Sequence, residues 1–503
     1  MITLHNGDCL EYMRGLDADS VDAVVTDPPA GISFMGKEWD DFRRSRNQND
    51  AGRENVFGRT SQHAPEIGRR PRDIFIVWMT EIAAECLRVL KPGGYALVWA
   101  LPRTSHWTAT AWEDGGFEVR DRIAYVFGSG FPKSLDVSKA IDKAAGAERE
   151  VVGYYPVGRA DGFQQMSGQN VRPWQDSARQ NGNGGNITAP ATASAREWAG
   201  WGTALKPAVE DWWVFRKPLS EATVAANVLR WGTGAMNIDA GRVGFASDAD
   251  EAESKEKNQH TQYANPGSNR DSYSGSMPPR QDYNAPGRWP AHLILDGSPE
   301  VEAMFPVTTS GSIALHHKRT TSKTKNDFGE RAAPPEQTFG DTGSAARFFK
   351  SCPLDEDDYP PLFYCAKASK RERDAGCEGL EIKCGVGTMK GDADGSLLTG
   401  NGNQRDTTAR NHHPTVKPLS LMRYLITLVT REGATVLDPF LGSGSTGVAA
   451  VQLGRSFVGC DNDAEYFAIA QARIEHAVRQ VAEAVCQDLL FAPRVEQLVE
   501  QYR

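Results

Sequence analysis

Cysteine is scarce in this sequence, and no two cysteines form a CxxC pair. Eight cysteines among 503 residues predict reduced thiols and exclude the disulfide framework of a small secreted protein. Long apolar runs are also missing: no stretch approaches the roughly 18 apolar residues of a membrane span, and no basic leader with an apolar core opens the chain. The sequence therefore predicts a cytoplasmic protein that does not contact a membrane.

Positive charge is lacking overall, since 56 basic residues stand against 65 acidic ones and give a net charge of −9. This balance excludes a protein that coats nucleic acid by bulk electrostatics and leaves room only for a local basic face. A zinc pattern is missing as well, because Cys365, Cys377 and Cys384, with His412 and His413 downstream, match no structural-site spacing. We predict no bound metal.

Strand and helix patterns alternate at both ends of the chain. Residues 21–26 form a β-rich apolar run, 74–90 carry apolar residues at helical spacing, and 95–100 and 122–127 are further strand candidates. After about residue 360 the alternation returns, with predicted helices over 419–430, 446–453 and 464–478 and predicted strands over 435–438 and 455–460. This order predicts an α/β fold in which helices cover a mostly parallel sheet.

The stretch between about 150 and 360 is rich in Gly, Asn, Gln and Ser and holds apolar islands at 212–215, 219–231 and 289–295. It is expected to be an irregular folded insertion with long, flexible loops. Its tryptophans are expected to pack in a core; they are Trp198, Trp201, Trp212, Trp213 and Trp231.

A glycine-rich turn, residues 438–444 (DPFLGSG), lies between the predicted strand 435–438 and the next helix, and Asp461 follows the next strand. Glycines at such a corner let the backbone approach a ligand, and an acid after the second strand can accept hydrogen bonds from ribose hydroxyls. A dinucleotide or phosphate site is the rival interpretation, but the chain has no GKS or GKT sequence, and Asp438 would face an anion unfavourably. The corner predicts a nucleoside-like ligand that is neutral or cationic there.

Asp27, Pro28 and Pro29 follow the predicted strand 21–26. An exocyclic amine of adenine or cytosine is a poor nucleophile because its lone pair is delocalised into the ring. A carboxylate and a backbone carbonyl that accept its two N–H groups draw the lone pair out, and Asp27 and the Pro28 carbonyl fit these roles. The alternative is a Pro-Pro turn that closes a strand, with Asp27 as a local turn acceptor.

Together these motifs resemble those of the S-adenosylmethionine-dependent DNA amino-methyltransferases of restriction-modification systems and phages, in the permuted order whose catalytic motif comes first. Residues 6–10 (NGDCL) are similar to the family's segment that contacts the adenosine of the cofactor, and residues 413–418 (HPTVKP) to its segment before the cofactor strand. Residues 130–135 and 340–349 look like phage and prophage members. The resemblance covers roughly 1–135 and 360–480.

The resemblance implies a permuted Rossmann-like methyltransferase sheet of about seven strands with a large inserted target-recognition domain. Residues 1–150 would form the catalytic half, 151–360 the target-recognition insertion, and 361–503 the cofactor-binding half with C-terminal helices. The implied cofactor is S-adenosyl-L-methionine. The implied partner is double-stranded DNA in a bacterial or phage-infected cell, with a homodimer and a cognate restriction endonuclease as further expectations.

The resemblance also carries the family's functional residues onto this sequence. The implied catalytic residues are Asp27, Pro28, Pro29 and Ala30. The implied cofactor-binding residues are Asp8, Cys9, Asp27, His413, Pro414, Thr415, Lys417, Asp438, Pro439, Phe440, Gly442, Ser443, Gly444, Thr446, Asp461 and Asn462.

Ala30 departs from the family, which has an aromatic residue there that stacks on the flipped base. Such stacking contributes about 1 to 3 kcal/mol per base. Three explanations stay open: an engineered change that weakens turnover, which we favour, a natural member of low activity, or an aromatic from elsewhere such as Phe34 or Trp39.

The first residue of the catalytic motif bears on the target, because in the family Asp implies adenine N6 and Ser implies cytosine N4. Methylation at cytosine C5 would need a thiolate in a Pro-Cys pair, and the chain has none. Adenine N6 is therefore expected. Cytosine N4 remains open, as do a catalytically silent DNA-binding homologue and a methyltransferase that acts on RNA or protein.

The loop 31–72 holds nine basic against six acidic residues in a chain that is acidic overall. Its place after the catalytic motif favours phosphate contact, although such a loop is also typical of a merely solvated surface. The predicted DNA-binding residues are Lys37, Trp39, Arg43, Arg44 and Arg46 in this loop and Lys318 and Arg319 in a second basic patch.

Overall fold

The computed structural model describes residues 1–32, 40–42, 70–128, 134–154, 186–245, 248, 250–251, 286–309, 342–352, 370–384 and 408–488. The chain divides into two compact units. The first comprises residues 1–128, 209–376 and 415–503, and the second comprises 129–208 and 377–414.

The described strands are, in chain order, β1 (Ile2–Asn6), β2 (Val21–Thr26), β3 (Leu90–Ala100), β4 (Glu118–Val126), β5 (Val151–Tyr154), β6 (Asn186–Thr188), β7 (Val209–Arg216), β8 (Leu293–Leu295), β9 (Val307–Thr309), β10 (Thr342–Ser344), β11 (Lys350–Ser351), β12 (Lys383–Cys384), β13 (Thr408–Ala409), β14 (Thr435–Asp438) and β15 (Ser456–Asp461).

The described α-helices are α1 (Cys9–Arg14), α2 (Pro71–Val89), α3 (Ser105–Asp114), α4 (Val137–Ala144), α5 (Ala193–Glu197), α6 (Val224–Trp231), α7 (Ile238–Gly241), α8 (Pro299–Ala303), α9 (Lys370–Asp374), α10 (Leu419–Val429), α11 (Ser445–Gln452) and α12 (Ala464–Asp488). None of these described helices is long and apolar enough to cross a membrane.

The first unit is built on a nine-stranded sheet with the order β1-β15-β14-β2-β3-β7-β4-β8-β11. Neighbouring strands run parallel except at β7, which is antiparallel to both β3 and β4. The predicted α/β fold with a mostly parallel sheet is therefore confirmed, with nine strands where about seven were expected. Strands from the two ends of the chain lie side by side in its centre, as the permuted order implies.

Helices cover both faces of this sheet. Successive residues of a strand point to opposite sides, and the apolar side chains on each side pack against helices. In β2, Val25 lies in a core cluster with the apolar residues of α10, α11 and α12, whereas Val24 lies in a second cluster with those of α1, α2 and α3. Apolar residues on both sides of a strand are what a buried parallel sheet requires.

Strand β7 belongs to the region between about residues 150 and 360 that was predicted to be a separate insertion. It lies inside the sheet, and its Trp212, Val214 and Phe215 are fully buried. A strand covered on both faces needs such a nearly continuous apolar run, which the sequence shows only as an island within the presumed insertion. With β7 and β8 in the core, the two units do not coincide with the predicted domains. The target-recognition role of the middle region stays a prediction.

The second unit holds α4 and α5, the hairpin of β5 with β6, and the short pair β12 and β13. Asp142 of α4 accepts hydrogen bonds from the backbone amide and hydroxyl of Thr192 and from Arg149. The expectation that Trp198 and Trp201 pack in a core is wrong. They are 41% and 59% exposed and pack edge to face against each other, so that each ring covers part of the other at the surface.

Candidate active site

Acidic residues gather at one edge of the nine-stranded sheet. Strands β1, β15, β14, β2 and β3 are parallel, so their carboxyl ends meet at this edge, which is where parallel sheets of this type place their ligands. Asp461 and Asp438 end their strands, and Asp27 follows β2 directly. The antiparallel strand β7 begins at the same edge and brings Glu210 there.

A buried hydrogen-bond network joins the two predicted motifs. The Thr26 hydroxyl donates to Asp438 Oδ1 at 2.7 Å, and the Thr446 hydroxyl donates to Asp438 Oδ2 at 2.6 Å. The Phe440 amide also donates to Asp438 Oδ1, at 3.1 Å. Asp438 is only 2% exposed, and its burial raises its pKa to about 6. Its carboxylate thus connects β2, β14 and α11, and both of its oxygens have partners within the protein.

The second acid of the corner supports the glycine turn. Asp461 Oδ2 accepts from the Gly442 amide at 2.7 Å, and its Oδ1 accepts from the Asp463 amide at 2.9 Å. Burial raises the pKa of Asp461 to about 6, against the lowering effect of these two donors. Gly442 has a φ of +54°, a left-handed conformation that glycine adopts without strain.

Gly444 is explained by packing as well as by conformation. Its φ is +75°, and a Cβ on it would lie 3.0 Å from the Cα of Ala470 in α12. Arg473 of the same helix donates to the Ser443 carbonyl at 2.6 Å. Close approach of α12 therefore accounts for this glycine without any ligand.

Asp27 lies in a cluster that the sequence did not reveal. Its Oδ2 is 3.1 Å from Lys417 Nζ, and the same nitrogen is 3.6 Å from Glu210 Oε2. The Lys417 ammonium also lies 3.8 Å from the ring centroid of Trp99, whose Nε1 donates to Glu210 Oε2 at 2.8 Å. Burial raises the pKa of Asp27 to about 6; Lys417 opposes this shift, and the negative charges of Glu210 and Asp438 add to it.

Hydrogen bonds to backbone atoms hold the turn after Asp27. Pro28 is buried, while Pro29 and Ala30 are partly exposed. The Thr104 hydroxyl donates to the Ala30 carbonyl at 2.7 Å, and the carboxylate of Asp40 accepts from the amides of the two residues that follow Ala30. Phe34 and Trp39, the candidate replacements for the missing aromatic, lie outside the described residues.

The remaining predicted cofactor residues take different positions. Asp8 is exposed and caps α1 through the Glu11 amide, and burial raises the pKa of the neighbouring Cys9 thiol well above its usual range. Phe440 contacts Trp78 of α2 at 5.7 Å between ring centroids. Asn462 is exposed.

The segment 413–418 is split by the boundary between the two units. His413 and Pro414 belong to the second unit, whereas Thr415 and Lys417 belong to the first. Lys417 contacts the catalytic candidate Asp27, and its predicted role in cofactor binding stays a prediction.

The predicted DNA-binding residues cannot be placed at this site. All of them, Lys37, Trp39, Arg43, Arg44, Arg46, Lys318 and Arg319, lie outside the described residues. Within the described ranges, no group of three or more His, Cys, Asp or Glu side chains is arranged to hold a metal ion.

Sequence reasoning missed Thr26, Trp99 and Glu210. The signal for Thr26 was its place directly before Asp27 at the end of a strand. Glu210 is far from Asp27 in sequence and belongs to a strand whose pairing cannot be read locally. Only the antiparallel register of β3 with β7, in which Trp99 lies opposite Trp212, brings Glu210 to this edge.

The fold and the site define an α/β protein with a glycine-rich strand-to-helix corner next to an Asp-Pro-Pro turn. Residues 305–472, which include β14, α11 and β15, match the family model of the DNA methylases, N6_N4_Mtase. Over this segment the chain carries the sequence signature of that family, which confirms the resemblance to the amino-methyltransferases.

Individual proteins match over shorter stretches. M2.DpnII, a type II methyltransferase of Streptococcus pneumoniae, is 52% identical over 63 residues, which are 12% of this chain and 24% of that protein. M2.LlaDCHI, a type II methyltransferase of Lactococcus lactis subsp. cremoris, is 42% identical over 78 residues, 16% of this chain and 29% of that protein. The chain thus spans less than a third of the length of these two curated relatives.

Among solved structures, the M1.HpyAVI–SAM complex is 14% identical and covers 94% of this chain and 100% of its own, with a TM-score of 0.31. This TM-score is below 0.5, so the fold assignment rests on the observed order of the strands and not on this superposition.

Proposed function

We propose that this chain is an S-adenosylmethionine-dependent methyltransferase of double-stranded DNA that modifies an exocyclic amino nitrogen, with adenine N6 as the target. The observation that carries the proposal is the 2.7 Å hydrogen bond from Thr26 to Asp438. It joins the residue before Asp27 to the first residue of the glycine-rich corner, so that the amine-activating turn and the nucleoside corner lie on adjacent strands.

The side chains at this edge fit the cofactor by their chemistry. S-adenosylmethionine, when bound, supplies a methyl group on a positively charged sulfur. Asp461 uses one acceptor site on each oxygen for the amides of Gly442 and Asp463, which leaves further lone pairs for hydroxyl donors from a ligand. The residues that would hold the cofactor are Asp8, Phe440, Gly442 and Asp461, and Asp438 fixes the backbone between them.

The proposed substrate is a base turned out of the duplex, because an amino group inside the stack is out of reach of an enzyme. The ionised Asp27 carboxylate and the Pro28 carbonyl accept hydrogen bonds from the two N–H groups and localise the lone pair on nitrogen. Support for adenine over cytosine comes from Asp27 as the first residue of the motif. The homodimer, the partner endonuclease and the cytoplasmic location remain predictions.

A second candidate function is a catalytically silent DNA-binding protein, which the non-aromatic Ala30 favours. The two candidates differ in one product, a methylated nucleoside.

The test is transfer of tritiated methyl from S-adenosylmethionine to duplex DNA, followed by nucleoside analysis. The proposal predicts N6-methyladenine, and it predicts that Asp27→Ala lowers the rate about 100- to 1000-fold, as removal of a preorganised polar group does in other enzymes. Asp17→Ala, which removes an exposed carboxylate on a turn, is the matched control and should leave the rate unchanged.

Undiminished transfer by Asp27→Ala would contradict the proposed role of this residue. N4-methylcytosine would overturn the adenine assignment alone. DNA binding without any methyl incorporation would favour the silent homologue.

A further inference from the structure

The Lys417 ammonium is enclosed by groups from three strands. It lies 3.1 Å from Asp27 Oδ2 after β2, 3.6 Å from Glu210 Oε2 in β7, and 3.8 Å from the ring centroid of Trp99 in β3. The lysine side chain is only 10% exposed. We call Asp27, Trp99, Glu210 and Lys417 the Lys417 cluster.

Trp99 holds the Glu210 carboxylate of the cluster in place. Trp99 is 7% exposed and donates its indole N–H to Glu210 Oε2 at 2.8 Å, so one side chain both contacts the ammonium with its ring and orients the second carboxylate. Contacts from β3, β7 and the residue after β2 therefore determine where the ammonium lies. A cation over an indole ring at this distance is stabilised, more so when it is desolvated.

Two carboxylates share one ammonium in the Lys417 cluster. Asp27 is at hydrogen-bond distance from Lys417 Nζ, and Glu210 is half an ångström farther away. The negative charge of Glu210 disfavours ionisation of Asp27, whereas the Lys417 ammonium favours it. Lys417 and Glu210 consequently act on Asp27 in opposite directions.

Resting on the proposed function, we propose that Lys417 is a positioning residue for methyl transfer: it holds the Asp27 carboxylate ionised and fixed for the base amine, and Glu210, oriented by Trp99, weakens this hold by competing for the same ammonium. The arrangement requires no contact between Lys417 and the cofactor. It gives Asp27 a charge state that can be tuned by residues outside the Asp-Pro-Pro motif.

Other titratable groups face the cluster. Asp438 adds negative charge on the side of β14 and raises the pKa of Asp27 further, although its own oxygens are bonded to Thr26 and Thr446. Tyr125 of β4 interacts with Glu210 and is a neutral phenol whose pKa is raised by burial. Asp438 and Tyr125 remain in place in every variant below, so the expected differences between variants arise from Lys417 and Glu210.

The first measurement is the titration of the Asp27 carboxyl carbon by 13C NMR in the full-length protein without ligands, with Asp27→Asn identifying the signal. Lys417→Met should raise the pKa of Asp27 from its value of about 6, by roughly 1 to 3 units for loss of an adjacent opposite charge. Glu210→Gln should lower it, because the amide keeps an acceptor for Trp99 and removes the competing charge. Lys417→Arg should leave it close to the wild-type value.

The second measurement is the pH dependence of kcat/KM for methyl transfer by the same variants. The acidic limb should move to higher pH in Lys417→Met and to lower pH in Glu210→Gln, matching the NMR shifts. A merely structural role for Lys417 would lower the rate equally at all pH values.

The outcomes separate the two proposals. An Asp27 titration that stays at its wild-type position in both Lys417→Met and Glu210→Gln overturns the inference, whether or not the protein transfers methyl groups. Glu210→Gln also keeps the test decisive if Lys417→Met does not fold. If the wild-type protein transfers no methyl group, the proposed function is overturned. If the variants nevertheless shift the Asp27 titration as expected, the electrostatic part of the inference is supported.

Discussion

At the scale of single residues, the site depends on carboxylates that differ in what surrounds them. Asp438 is enclosed by protein donors, Asp461 is bonded to two amides with acceptor sites left over, and Asp27 is paired with one ammonium. A structural role suits the first, a ligand role the second and a chemical role the third. Their position relative to the strands does not separate them, because each lies at the end of a strand or directly after it.

Ala30 gives a direct test of the missing base platform. The backbone on both sides of its side chain is held by Thr104 and Asp40, so replacement of the side chain leaves these bonds in place. Ala30→Tyr is expected to raise kcat/KM for DNA by about 5- to 150-fold, from stacking of about 1 to 3 kcal/mol. Ala30→Leu is the control for size without an aromatic face. Equal kcat/KM values for the two variants would refute the platform argument.

Asp27 and the glycine-rich corner could be predicted because local patterns mark them: a strand followed by Pro-Pro, and glycines at a strand-to-helix turn. Lys417 was found by its motif and predicted to bind the cofactor, but its contact with Asp27 was not predicted. Glu210 and Trp99 could not be found, since their role follows from the strand register and not from any local pattern.

At the scale of elements, strand β14 matches its predicted range, and α2, α10, α11 and β15 differ from theirs by a few residues at the ends. These elements have strong apolar periodicity and clear turn residues at their ends. Strand β7 was missed because its apolar run lies between two polar stretches and resembles an isolated patch. Its place in the sheet depends on hydrogen bonds to β3 and β4, which are distant in sequence.

The contact of α11 with α12 depends on Gly444. Gly444→Ala introduces both a left-handed alanine and a clash with Ala470, and it is expected to cost about 2 to 4 kcal/mol of unfolding free energy. Gly433→Ala is the matched control, because Gly433 has a φ of +76° with open space around its Cβ position. It should cost only the conformational part, about 1 to 2 kcal/mol. Equal losses in urea unfolding would mean that packing against α12 does not constrain Gly444.

At the scale of the whole molecule, buried acids link stability to pH. The pKa of Asp438 is about 6 in the folded protein against 3.8 for the free side chain, so the folded state binds more protons between these values. The free energy of unfolding should therefore fall as pH rises from about 4 to about 6, by up to about 3 kcal/mol for this group. The raised pKa values of Asp27 and Asp461 act in the same direction.

Urea unfolding at pH 4.5, 5.5 and 7.0 checks this linkage, with Asp438→Asn as the comparison. The variant should show a flatter dependence on pH, since its side chain does not titrate. Parallel curves for wild type and variant would show that Asp438 is not the source of the dependence.

The proposed reaction at the Asp27 site is methylation of an amino nitrogen of DNA. Its most direct test is nucleoside mass spectrometry of genomic DNA from a methylation-deficient bacterial host that expresses either the wild-type chain or Asp27→Ala. We expect N6-methyladenine with the wild-type chain and its loss with Asp27→Ala at equal protein levels. Equal amounts of methylated nucleoside from both, or none from the wild type while it remains folded, would show that Asp27 does not carry DNA methylation.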